Sequence, residues 1–152
     1  MRLVLYEPEI ARNAGAATRA AACFGAGLDI IEPCGFPLNA KAFSRVAMDY
    51  GLLAAPRVHS SWSAFDEARR FAGARLVLLT TKADNSVTDF TFQQTDWIMT
   101  GRESAGVPDA VHASVDASVR IALAKGARSL NMATAAAIAL AEARRQIGYP
   151  DE

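Results

Sequence analysis

Three short stretches of this chain carry the residue types from which a ligand site can be built. The first is Gly101-Arg102-Glu103-Ser104-Ala105-Gly106, which follows the apolar run Trp97-Ile98-Met99-Thr100. It reads as a tight loop at the end of a buried strand, with glycines at both ends that let backbone approach a ligand closely. The second is Ser129-Leu130-Asn131, reached through a loop over 124–128 that leaves the strand-like run Ser118 to Leu123, in which Ile121 sits. The third is the polar segment Thr81 to Ser86, which follows the most continuous apolar strand before it, Arg75 to Thr80, with Leu78 inside. Loops leaving the C-terminal ends of strands form the usual ligand crevice of an open α/β sheet. These would offer backbone amides, hydroxyls and one carboxylate, which suits a small polar ligand with an apolar part. Near the start, Asn13 and Arg19 add an amide and a guanidinium, and a guanidinium stabilises an oxyanion or a phosphate without surrendering its proton. Taken singly, Asn13 and Asn131 also suit helix caps, and Arg19 a solvated surface charge.

The elements that must hold these residues alternate in type. Leu3 to Tyr6 reads as a buried strand, and Asn13 starts a small, apolar helix over Ala14 to Phe24 that Gly25 and Gly27 end. Leu28 to Ile31 gives a second strand. A helix over 39–50 would place Lys41 and Arg45 on one face, which reads first as a solvated face and otherwise as a phosphate-contacting patch supplementing Arg12 and Arg19. Arg57 to His59 is a brief strand, after which Ser60 or Ser61 caps a helix over Trp62 to Ala72 with Phe65, Ala68 and Phe71 inward. Pro108 to Ala113 is a short helix. The last helix begins at Asn131 and is mostly alanine, so it can pack closely against a neighbour; Arg144 and Arg145 favour its C-terminus, and Gly148 with Pro150 end it. The alternation predicts a parallel, buried sheet flanked by helices in a single α/β domain, 1–152.

Other chemistries fail on polarity or spacing. Gly25-x-Gly27 closes a helix and precedes a strand, the reverse of a dinucleotide-binding loop, and no P-loop lysine consensus is present. Glu103-Ser104-Ala105-Gly106 nearly makes a hydrolase nucleophile elbow but has Arg102 where its first glycine belongs. Two cysteines and two histidines show no ligand spacing, so no metal is expected.

The ordered set Gly101-x-Glu103-x-x-Gly106, then Ile121, then Ser129-Leu130-Asn131 heading a helix, with Asn13-x-Gly15 and Arg19 near the start, resembles the SPOUT class of RNA methyltransferases. Within it the chain looks like the small, single-domain branch that 2'-O-methylates wobble nucleotide 34 of tRNA, a cytidine or modified uridine. The resemblance extends through Leu5-Tyr6-Glu7-Pro8-Glu9-Ile10 and Ile31-Glu32-Pro33-x-Gly35-Phe36. It implies a C-terminal deep trefoil knot, which sequence physics does not foresee because knots break the ordinary connection rules. It implies S-adenosylmethionine as cofactor, with Leu78, Thr80, Gly101, Glu103, Gly106, Ile121, Ser129 and Leu130 binding it. It implies Arg19, Asn13, Ser129 and Asn131 as catalytic residues, tRNA as partner, and a homodimer through the first and last helices that completes the site. Ala122 and Ala11-Arg12 stand where family members often carry prolines. Related SPOUT enzymes modify other tRNA or ribosomal positions, which is the alternative substrate; from the residues alone, a non-enzymatic RNA-binding or scaffold module stays open.

Composition sets outer bounds. A 51% hydrophobic content supplies a layered core, while 16 basic and 16 acidic residues leave a net charge of +0. Any RNA surface must then be a local patch rather than a global field. Cys23 and Cys34 have small or apolar neighbours, as buried thiols in a reducing compartment would. Neither a signal peptide nor a membrane span is evident, which predicts a cytoplasmic protein.

Overall fold

The structure, a computed structural model, describes residues 1–39, 50, 54 and 56–149. The expected helix over 39–50, with Lys41 and Arg45, lies outside the described residues.

Among the described residues six strands form one sheet: β1 (Arg2–Tyr6), β2 (Gly27–Ile31), β3 (Arg57–His59), β4 (Arg75–Leu79), β5 (Asp96–Thr100) and β6 (Ala117–Val119). Their order is β3-β2-β1-β5-β4-β6, and every pairing is parallel. A parallel sheet is buried on both faces, so its strands read as unbroken apolar runs, and successive residues serve opposite layers. Leu3, Leu5 and Ile98 face one core with Ala14, Ala17, Ala136 and Leu140; Val4, Tyr6, Trp97 and Met99 face the other with Phe65 and Val111. The first layer is made by α1 (Ala11–Cys23) and α4 (Met132–Ile147), the second by α2 (Trp62–Phe71) and α3 (Asp109–Ser114).

Helices α1 and α4 pack along each other, which their alanines permit. Their heads meet where Asn131 Nδ2 donates to Asn13 Oδ1 at 2.9 Å, and their tails where the buried Arg144 donates to the carbonyls of Phe24 and Gly25, each at 2.7 Å. They therefore run in the same direction.

Several local expectations change. α1 begins at Ala11, not Asn13, and its N-cap Ile10 has no side-chain cap, because a carboxylate from a distant loop serves that end instead. On α2, Phe65 is buried but Ala68 and Phe71 are exposed; the inward stripe is Phe65 and Arg69, four residues apart. Arg69 is tolerated there because Asp66 at 2.7 Å, Asp116 at 2.8 Å and the Ser114 carbonyl at 3.2 Å receive its guanidinium. Strand β6 stops at Val119, and Cys23 is exposed while Cys34 is half-buried, so neither thiol is in the core. His59 is structural, its Nε2 lying 2.7 Å from the buried Asp29 carboxylate, which also takes Arg2. His112 Nε2 is buried without a hydrogen-bond partner. No helix among the described residues is long and apolar enough to cross a membrane.

Candidate functional site

The chain reverses its direction of travel across the sheet between β1 and β5, and at such a point loops leave the strand ends on diverging paths and open a crevice. A crevice of about 570 Å³ lies at that edge. Binding sites for small organic ligands span about 300–1,000 Å³.

All three loops read from the sequence reach it. Leu78 and Thr80 line it from the end of β4, and Gly101, Glu103 and Gly106 from the loop after β5. Ile121, Ser129, Leu130 and Asn131 line it from the segment after β6, and Asn13 from the head of α1. The Ser118–Leu123 run was apolar beyond the end of β6 because Ile121 and Leu123 furnish this hollow rather than the sheet.

The loop after β5 is closed on itself by paired backbone bonds, Arg102 N to Gly106 O at 2.9 Å and Gly106 N to Arg102 O at 3.0 Å. A Cβ on Gly101 would stand 2.6 Å from the Gly106 backbone, so only glycine allows this closure; Gly106 itself has φ of 66°. The same loop is fastened to the segment after β1. Glu103 accepts from Glu9 N at 2.9 Å, Ile10 N at 3.2 Å and Asn13 Nδ2 at 3.3 Å. Ser104 donates to Glu9 through its hydroxyl and its amide, both at 2.8 Å, and Arg102 pairs with Glu7. The two Ser104 bonds hold the Glu9 carboxyl below its ordinary range. Glu103 is thereby a brace for the head of α1 as well as part of the crevice wall.

Asn13 passes the brace on. Its Nδ2 donates to Glu103 and its Oδ1 accepts from Asn131, whose own Oδ1 accepts from Ala133 N at 3.0 Å and Thr134 N at 3.2 Å as the N-cap of α4. Glu103, Asn13 and Asn131 form one relay tying a loop to two helix heads. Ser129 and Leu130 are exposed at the rim.

Arg19 is elsewhere. At about 100° per residue, its six-residue offset from Asn13 turns it about 120° away, and about 9 Å along the axis. It is exposed, with its guanidinium 5.1 Å from the Tyr50 ring. It does not line the crevice. Arg12 is likewise exposed, at the head of α1.

Sequence reading overlooked Glu7 and Glu9 as the loop's fastening points, and Lys82, Thr100 and Met132 as crevice residues. Two acids flanking Pro8 just past a strand end were the available signal for the first pair. Among the described residues no His, Cys, Asp or Glu group is arranged to hold a metal ion.

The profile of the SpoU rRNA methylase family matches residues 1–141. The chain belongs to that family. It is 53% identical over 148 residues to the tRNA (cytidine(34)-2'-O)-methyltransferase of Ancylobacter novellus, covering 97% of this chain and 94% of that protein. Against the protein of that name in Escherichia coli K12 it is 37% identical over 152 residues, covering 99% and 96%. A solved structure described as giving insights into 2-OH methylation of C/U34 on tRNA superposes with a TM-score of 0.91 at 38% identity, covering 96% and 95%. The SpoU methyltransferase AviRb from Streptomyces viridochromogenes, in complex with the cofactor AdoMet, gives 0.87 at 32% identity, covering 97% of this chain and 60% of that one. The fold these SpoU proteins share is the parallel six-stranded sheet flanked by helices described above.

Proposed function

We propose that this chain transfers a methyl group from S-adenosylmethionine to the ribose 2'-oxygen of wobble nucleotide 34, a cytidine or uridine, in tRNA. The observation that carries the reading is the 53% identity, over nearly the whole of both chains, to a relative of that name. The crevice fits the donor: its volume accommodates a nucleoside-sized ligand, Leu78, Ile121 and Leu130 supply apolar wall, and backbone groups around Gly101 and Gly106 supply polar contacts. When bound, the donor supplies a methyl group activated on a sulfonium.

What remains belongs to this chain's residues. A ribose hydroxyl is ionised only far above neutral pH, so the site must favour the developing alkoxide. Arg19 keeps its proton, which makes it an electrostatic stabiliser and phosphate anchor, with the hydroxyl proton released to water. Because Arg19 lies outside its own protomer's crevice, it acts on the partner's, in a homodimer packed through α1 and α4. Ser129 and Asn131 orient the ribose edge, and Asn13 with Glu103 keeps the loop after β5 closed. Arg12, Lys41 and Arg45 take RNA phosphates. A trefoil knot in the segment from β6 into α4 is part of the same reading.

The test is nucleoside mass spectrometry of tRNA from cells with and without the gene. Loss of a 2'-O-methyl nucleotide at the first anticodon position is expected. An unchanged tRNA profile, with a methyl lost from ribosomal RNA instead, would overturn the substrate assignment.

A further inference from the structure

Opposite charges balance over the whole chain but not over the described surface. Away from the crevice, several cations are matched by acids: Arg2 by Asp29, Arg69 by Asp66 and Asp116, Arg75 by Asp96, and Arg145 by Glu142. At the crevice Arg102 is matched by Glu7. Among the described residues no carboxylate forms an ion pair with Lys82, Lys125 or Arg128. All three are exposed.

Their positions follow from the fold. Lys82 follows β4, lines the crevice, and also lines an adjoining hollow of about 300 Å³ beside Asp109, His112 and Ala113. Lys125 and Arg128 occupy the loop after β6 that runs directly into Ser129 on the crevice rim. Lys82 thus stands in the crevice wall, and Lys125 and Arg128 precede the rim residue Ser129 by four positions and one. Among the described residues Arg12, Arg57, Arg120 and Arg144 form no ion pair with a carboxylate either, and they are not part of this arrangement. Asp84 and Asp109 are exposed acids on the same side, so the arrangement consists of discrete contacts, not a broad positive field.

We propose that Lys82, Lys125 and Arg128 contact successive backbone phosphates of the RNA strand on either side of the reacting nucleotide, and so set that nucleotide over the crevice. This rests on the methyltransferase reading above. A phosphate rail explains binding of a polyanion by a chain of zero net charge: discrete cations beside the crevice meet phosphates without a positive field over the whole surface. Each phosphate contact releases counterions, so each contributes close to one to the slope of log affinity against log salt.

The experiment measures binding of unmodified tRNA to the full chain by fluorescence anisotropy across a salt series, beside calorimetric titration with S-adenosylmethionine. Lys82→Gln, Lys125→Gln and Arg128→Gln should each lower the slope by about one and weaken tRNA binding by up to about tenfold at 0.1 M salt. Lys82→Arg should retain the slope, and Asp109→Asn should tighten tRNA binding. Lys125→Gln and Arg128→Gln should leave donor affinity as in the wild type. Unchanged slopes in a wild-type protein that methylates tRNA would overturn the rail and spare the reaction. A wild type that neither binds nor methylates tRNA would overturn both.

Discussion

Gly101 and Cys34 show how far a single side chain can be argued. Replacing Gly101 with alanine puts a methyl 2.6 Å from the Gly106 backbone, and backbone cannot yield as a flexible side chain would. The loop must open, so Gly101→Ala should weaken S-adenosylmethionine binding about tenfold or more by calorimetry while melting close to wild type. Cys34 lies half-buried, and burial first, then the negative charges of Glu32, Glu7 and Glu103, push its thiol up to about 11. The thiolate is the nucleophile. Iodoacetamide at pH 8 should therefore label the exposed Cys23 and leave Cys34 largely unmodified in the folded protein, as peptide mass mapping would read. At this scale Gly101, Gly106 and Asn131 were legible because backbone closure and capping leave local signatures. Glu103's role as brace was not: its partners Glu9 and Ile10 are 94 and 93 positions away, and no local pattern encodes that.

Elements were read well where burial has a strict period. The parallel strands announced themselves as apolar runs, and β6 was overextended only because Ile121 and Leu123 serve a crevice with the same chemistry as a core. α2 misled because Phe71, though apolar, is six positions from Phe65 and so falls off its face; it is 97% exposed. The difference is measurable by denaturant titration. Phe65→Ala should cost about 3–5 kcal/mol, since Phe65 is fully buried, whereas Phe71→Ser should stay within about 0.5 kcal/mol. The head of α4 offers a third case. Asn131→Ala removes the cap from Ala133 and Thr134 and the tie to Asn13 together, and should cost about 1–2 kcal/mol along with methyl-transfer rate, while Asn131→Asp keeps the cap and restores part of the stability.

For the whole molecule the question is how many chains make one site. Arg19 stands against Tyr50, away from the crevice, whereas Asn13 on the same helix lines it. If Arg19 completes a neighbour's site, then at donor concentrations well below the Gly101→Ala dissociation constant neither Arg19→Ala nor Gly101→Ala homodimers should turn over appreciably, but coexpressing the two variants should restore activity. The expected level is about a quarter of wild type, because half the dimers are mixed and each mixed dimer holds one whole site. Absence of any recovery in purified mixed dimers would place Arg19 in cis. Neither the proposed partner's contribution nor the proposed knot follows from hydrophobic period or loop chemistry. Sequence physics reaches the sheet and the loops, and stops at how copies assemble.

The joints at both ends of α1 and α4 make the two helices a gauge for one another. Asn13 and Asn131 fix one end, and Arg144 against Phe24 and Gly25 fixes the other. One residue inserted between the joints of either helix would swing its far end by about 100° and advance it by about 1.5 Å. Both joints could not then be made at once. Insertions and deletions that leave this protein working should accordingly fall in its loops, with the spans from Asn13 to Phe24 and from Asn131 to Arg144 each keeping its own length.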